Sequence, residues 1–444
     1  MVKKGALTGL LLFGIFFGAG NLIFPPTLGV LSGQNFWPAI FGFVVSGVGL
    51  AVLTLIIGTL NPKGYVYEIS KKISPVFATV YLVALYLAIG PFFAIPRTAT
   101  TAFSVGIEPL LNGFNTSLAL LIFTVLYFGA AYLISLNPSK ILDSVGRILT
   151  PIFAISIVLL IILGLASFSQ APQAAIDGYA TAAFGTGFLE GYNTLDALAS
   201  VAFSVVAVQT LKQLGFANKK EYITTIWIVG LVVALAFSAL YVGLAKLGNS
   251  FPVPADVIAN PDINKGVYVL TNATQQVFGS VGQLFLAFMI TMTCFTTTVG
   301  LIVATSEFFN SRFPQFSYKA YATAFTLIGF GIANLGLNTI ITFSVPVLMI
   351  LYPITIALVL IVIVNKFVPL SKRGMQATIG LVTLVSLAEV LGSSLGITAL
   401  SSLVQSLPFA AASMAWTTPA LVGLLLAFVL PDKQKADAFE METE

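Results

Sequence analysis

Along the chain, uncharged apolar runs of about 20 residues alternate with short polar segments, the pattern of helices long enough to cross a bilayer. Twelve runs fall at 7–31, 38–60, 75–105, 117–136, 148–167, 188–211, 223–246, 276–306, 319–335, 340–364, 376–392 and 414–430. They predict twelve transmembrane helices. With an inner N-terminus, 17 of the 20 Lys and Arg residues fall in inner segments, and only Arg97, Lys246 and Lys265 lie elsewhere. A bias this strong predicts that both termini are cytoplasmic. The opening MVKKG leads into an uncharged run longer than a signal-peptide core, so the first span is expected to be retained. The segment 247–275 is rich in Pro, Asn and Asp and reads as an ordered external loop near an entrance, whereas 431–444 reads as a disordered charged tail.

Composition agrees with that pattern. Residues are 58% hydrophobic and 8% charged, against roughly 25% charged in soluble domains. The fold class expected is an all-α polytopic membrane protein, a single transmembrane domain surrounded by lipid. The net charge of +4 adds little, because placement matters more than the sum. One cysteine, Cys294, excludes an intrachain disulfide and is expected to be a small packing residue. Histidine is absent, which removes the commonest catalytic base, metal ligand and proton relay. Neither a nucleic-acid partner nor a protein partner is expected.

Two apolar runs are irregular. The first contains Gly18-Ala19-Gly20-Asn21 followed by Pro25-Pro26, and the sixth contains Asn193, Thr194, Asp196, Ser200 and Ser204. Twelve spans divide into five, five and two, with repeats over about 7–167 and 188–364 and two further helices over about 376–430. In that scheme the irregular runs open the two repeats. Interrupted spans at corresponding places in two halves point to a transporter binding site. Gly18 lies about 12 residues into the first span, roughly 18 Å deep at 1.5 Å per residue, past the middle of a core about 30 Å thick. A half-helix beginning there aims free N–H groups at the membrane centre, where they suit a carboxylate; unwound carbonyls suit a cation or an ammonium group. Gly14 and Gly18, four residues apart, would also serve close helix packing.

The eighth span reads Thr291-Met292-Thr293-Cys294-Phe295-Thr296-Thr297-Thr298. Thr293 and Thr297 share a helix face, with Thr296 beside them. Oxygen ligands without a carboxylate suit a weakly held monovalent cation; threonine hydroxyls also bond their own helix backbone. Arg97 and Asp196 each lie about eight residues from the outer end of their span, and equal depth predicts an intramembrane charge pair or gate. Pro91 and Pro96 are expected to kink the third span. Glu307 and Glu389 read as interfacial or peripheral groups.

The stretches LLLFGIFFGAGNLIFPPTLG, NFWPAIFGFVVSGVGL, GPFFAIPRTATTAF and GYNTLDALASVAFS resemble the bacterial branched-chain amino acid:cation symporter family over nearly the whole chain. That family belongs to the amino acid–polyamine–organocation superfamily. The resemblance implies a leucine-transporter-like fold in the bacterial inner membrane and uptake of leucine, isoleucine or valine with sodium. It implies that the substrate carboxylate meets amides of Ala19 and Gly20, beside Gly18 and Asn21. The amine would meet carbonyls near Phe16 and Phe203, with Ser204 at the sixth-span break. Sodium would be held by carbonyls of Gly14 and Phe17 and by Thr293, Thr296 and Thr297. Proton coupling through Asp196 or Glu389 is the nearest alternative. A channel would need a symmetric polar ring or carbonyl filter, and an enzyme a nucleophile–base pair or metal motif; the sequence displays neither pattern.

Overall fold

The structure is a computed structural model and describes residues 2–60, 64–111, 113–137, 140–213 and 219–432. Lys63 and the segment 433–444, both used in the sequence reading, lie outside the described residues. Helix occupies every one of the twelve expected intervals. Among the described residues, seven helical stretches are long and apolar enough to cross a membrane, with shorter apolar helices at Gly5–Gly14, Pro151–Ser167 and Thr417–Val429.

Four of the helical runs are interrupted, and each interruption has a local cause. The first run is two helices, Val2–Phe16 and Ala19–Ser32. Pro25 and Pro26 continue the second of these while withholding two amides from its backbone ladder. The sixth run is also two helices, Ala183–Tyr192 and Asp196–Gln213. In the third, Pro75–Leu87 passes through a π turn at Ala88–Phe92 into Ala94–Ala102, and Gly90 is non-helical at φ −94° and ψ −123°. Pro91 thus marks a break as expected. Pro96 does not, because it falls in the first turn of Ala94–Ala102, where the missing amide costs no intrahelical bond. The eighth run, Lys265–Arg312, bends at Gly279, whose φ of 66° is open to glycine at little cost. The long connection over 247–275 is partly helical: Ala255–Ala259 is a short helix and its last residues, from Lys265, already belong to the helix that bends at Gly279. Asn264 caps that helix by accepting from the Val267 amide at 3.0 Å.

Packing follows a crossed scheme. Both halves of the first run lie on Lys219–Ser250, the seventh. The halves of the sixth run lie on the second, Ala183–Tyr192 against Phe36–Val44 and Asp196–Gln213 against Leu50–Leu60. Glycines allow both approaches. Gly29 faces the Ala245 carbonyl and Gly248 faces Pro26; on the other side, Gly187 faces the Ala39 carbonyl and Gly42 the Phe184 carbonyl. Such backbone contacts replace the hydrophobic drive that lipid cannot supply between spans. Ser46 adds a hydrogen bond to the Phe188 carbonyl at 2.6 Å. The eighth run packs on Ala94–Ala102 and on Ala19–Ser32. Outer faces are apolar and exposed, as at Leu126, Leu133 and Val281. The Pro431–Asp432 end of the described chain is docked, not free: Asp432 accepts from the Ser371 hydroxyl and from the Arg373 amide.

Candidate functional site

The first break starts where the Phe17 amide makes the last regular bond, to the Phe13 carbonyl at 2.9 Å. Gly18 is extended, at φ −131° and ψ −169°. Its amide donates to Asn21 Oδ1 at 2.6 Å, and so turns away from the Gly14 carbonyl that a continuous helix would give it. Ala19 and Gly20 then open a new helix, whose first-turn amides have no intrahelical acceptor. These backbone groups are buried at the positive end of the half-helix.

The second break is Asn193–Leu195. Leu195 has φ 65°, a left-handed conformation that side chains disfavour. Two interactions hold it. The Thr194 hydroxyl donates to the Gly191 carbonyl at 2.9 Å. The Arg97 guanidinium donates from Nη1 to the Asn193 carbonyl at 2.5 Å and from Nη2 to the Thr194 carbonyl at 3.3 Å. Those carbonyls end the first half-helix, where the dipole favours a cation.

One network joins the two breaks. Asn21 Nδ2 donates to Asp196 Oδ2 at 2.7 Å, and the Tyr241 hydroxyl donates to the same oxygen at 2.6 Å. Asn21 Nδ2 also contacts the Tyr241 hydroxyl. The expected Arg97–Asp196 charge pair is therefore replaced. Arg97 spends its reach on the carbonyls of the break, and Asp196 turns toward the first and seventh runs.

A cavity opens at this junction. Its walls include Phe16, Gly18, Ala19, Gly20 and Asn21 from the first break, Thr194 to Asp196 from the second, and Arg97, Thr98, Phe203 and Thr297 around them. About 40 Å³ admits the centre of a water-sized sphere, room for about three waters at 10–15 Å³ each. Phe16 and Phe203 meet edge to face at 5.5 Å between centroids and close one side.

The threonine cluster lies against the same break. Thr297 Cγ2 is 3.8 Å from where a Cβ on Gly18 would sit. The hydroxyls of Thr296 and Thr297 both donate to the Thr293 carbonyl, at 2.9 and 3.1 Å. Their protons are thus directed to backbone, which leaves their oxygens as acceptors only. The Thr293 hydroxyl is buried without a partner. Thr298 instead belongs to a packing network with Thr98 and Tyr127, at 2.5 and 2.8 Å. Cys294 is fully buried.

The structure brings together Phe16, Gly18, Ala19, Gly20, Asn21, Arg97, Asp196, Phe203 and Thr297. Gly14, Phe17, Thr293 and Thr296 stand outside the cavity wall. Ser204 is not part of it: its hydroxyl donates to the Val201 carbonyl at 2.7 Å, and its side chain packs against Gly58. The break placed near Phe203 by resemblance is at Asn193–Leu195, so Phe203 offers its ring and its backbone stays inside Asp196–Gln213. Sequence reasoning missed Tyr241, a lone tyrosine in an otherwise apolar stretch of the seventh run, and Leu195.

A family model described as "Branched-chain amino acid transport protein" matches residues 1–434. Putative branched-chain amino acid carrier proteins of Staphylococcus aureus and Staphylococcus saprophyticus are each 40% identical over 451 residues, covering 100% of both chains. Among solved structures, Mhp1, a nucleobase-cation-symport-1 family transporter with bromovinylhydantoin bound, aligns at TM-score 0.57 and 14% identity, over 96% of this chain and 91% of its own. A manganese transporter of Eremococcus coleocola aligns at 0.59 and 15% identity, over 96% and 95%. MhsT in complex with L-phenylalanine aligns at 0.55 and 14% identity, over 96% and 97%. At these identities the three solved structures bear on fold alone.

Proposed function

The chain belongs to the branched-chain amino acid transport protein family, and from that membership we propose a symporter that imports leucine, isoleucine and valine with sodium. It is a multi-pass membrane transporter with the leucine-transporter fold, and not an enzyme. The observation that carries the proposal is the junction itself. Two broken helices present free amides, a carboxylate and hydroxyl oxygens to one buried cavity, tied by the Asn21–Asp196 hydrogen bond.

In this reading the substrate carboxylate sits on the amides of Ala19 and Gly20. The ammonium faces the Phe16 carbonyl and Asp196, and the branched side chain displaces Phe16 and Phe203. Sodium, a co-transported substrate, sits between the freed Gly14 carbonyl, the Phe17 carbonyl and the Thr293–Thr297 face of the eighth run. The crossed packing of the first run on the seventh and the sixth on the second supports an inverted 5+5 repeat. Both termini are cytoplasmic in the bacterial inner membrane, by the distribution of Lys and Arg.

Mechanism follows from sharing. Sodium joins the first and eighth runs and favours an outward-open state. Substrate then draws the two breaks together, and the four-run bundle rocks against the third and eighth. Each ligand raises the affinity for the other by the same factor. A proton-coupled version of the same cycle draws support from Asp196, a buried carboxylate whose two hydrogen bonds come from neutral groups. Uptake of labelled leucine into proteoliposomes under an imposed sodium gradient, and then under a proton gradient alone, separates the two. Uptake with sodium only supports the proposal; uptake with protons alone replaces it.

A further inference from the structure

Arg97 is 3% exposed, yet among the described residues no carboxylate lies within ion-pair distance of it. A guanidinium at this depth is costly unless a counter-charge is supplied. The carbonyls of Asn193 and Thr194 account for two of its five N–H groups, and Nε is buried without any partner. Asp196, on the wall of the same cavity, is turned to Asn21 and Tyr241. Helix-end carbonyls offer only about half a charge. Asp196 lines the same cavity, but among the described residues no carboxylate touches the guanidinium directly.

Its position says where a counter-charge would come from. Nη2 lies 3.0 Å from where a Cβ on Gly20 would sit, so the guanidinium and the first turn of Ala19–Ser32 face the same space. Both line the cavity. Phe24 lies under the guanidinium, 5.3 Å from its carbon to the ring centroid, and keeps water from that face. A carboxylate seated on the Gly20 amide is within reach of a planar donor fork that suits it.

We infer that Arg97 is a substrate-binding residue that takes the amino acid carboxylate together with the Ala19–Gly20 amides. This rests on the transporter reading above and adds to it a side-chain determinant of ligand class. The ligand must carry a free carboxylate. Its amide, or the corresponding decarboxylated amine, leaves the buried guanidinium without its counter-ion and is rejected. The same side chain holds the sixth-run break, so carboxylate binding is linked to the geometry of both breaks.

The test compares leucine with leucinamide on purified full-length protein. Ligand-induced thermal stabilisation is titrated in sodium for the wild type, Arg97→Lys and Arg97→Gln, with leucine uptake in proteoliposomes alongside. The expected wild type binds leucine roughly tenfold or more tightly than leucinamide. Arg97→Gln weakens leucine by a similar factor, leaves leucinamide within about threefold, and brings the ratio near one; Arg97→Lys falls between. Equal wild-type affinity for the two ligands overturns the inference without any variant. So does a variant in which both affinities fall together, the mark of a clamp on Asn193 and Thr194 alone. Wild type that binds and transports no leucine removes the transporter reading beneath it, and is recognised before any variant is made.

Discussion

The side-chain amide of Asn21 donates to the Asp196 carboxylate at 2.7 Å and so joins two helix breaks 175 residues apart in sequence. The same side chain accepts from the Gly18 amide through its other atom. One residue thus fixes the shape of its own break and its distance from the other. Amino acids with a shorter side chain cannot do both.

Replacing Asn21 by alanine removes both bonds and its contact with the Tyr241 hydroxyl, and leaves that hydroxyl donating to Asp196. Losing two buried hydrogen bonds, one to a carboxylate, costs roughly 2–4 kcal/mol. The purified variant is expected to melt at a lower temperature than wild type and to lose stabilisation by leucine. A variant with wild-type melting and full leucine stabilisation would mean that the two breaks are held by other contacts.

The threonines make a separate prediction. Thr296→Val with Thr297→Val keeps the side-chain shape and removes two hydroxyl oxygens from the face of the eighth run that packs toward the first break. The sodium concentration for half-maximal leucine uptake is expected to rise roughly tenfold or more, about 1.4 kcal/mol. Uptake at saturating sodium should be recovered in part. An unchanged sodium curve would assign these hydroxyls to backbone bonding only, since both already donate to the Thr293 carbonyl.

Glycine contacts between runs can be tested by contrast. A Cβ on Gly29 runs into the Ala245 carbonyl, a backbone atom that cannot swing aside. Gly29→Val is expected to destabilise by about 1–3 kcal/mol or more through overpacking, read as a lower melting temperature and reduced yield. Gly331 and Gly380 have nothing within 4 Å of a Cβ position. Alanine there is expected to be neutral or slightly stabilising, by up to about 1 kcal/mol. Equal effects at Gly29 and Gly331 would remove the packing argument.

The first break was legible because Gly18, Gly20 and Asn21 have no use in a lipid-facing helix. The second was not localised, because no glycine marks it: Leu195 is held at positive φ by Thr194 and Arg97, and the second of these comes from another run. Tyr241 was silent for a similar reason. In sequence it is one aromatic among apolar neighbours, and its partners sit 45 and 220 residues away. The Arg97–Asp196 pair failed on geometry. Equal depth fixes one coordinate of each residue, and the rotation of each helix fixes the others. Those rotations turn Arg97 to the carbonyls of the break and Asp196 to Asn21.

Asp432 lies at the start of the helix Lys372–Leu395, where a negative charge meets free amides. It accepts from the Ser371 hydroxyl and from the Arg373 amide, the latter at 3.1 Å. The Ser371 hydroxyl, first, and then the backbone amide of Arg373 hold its carboxyl below the usual aspartate range despite full exposure. A lowered folded-state pKa stabilises the fold above the unfolded value of about 3.9 and loses that contribution as pH falls through the folded value. Asp432→Ala is therefore expected to speed hydrogen exchange at Arg373 and Gly374 relative to wild type at neutral pH. The difference should shrink as the pH falls below the ordinary aspartate range. A difference that stays constant with pH would mean that the contact acts through shape and not through its charge.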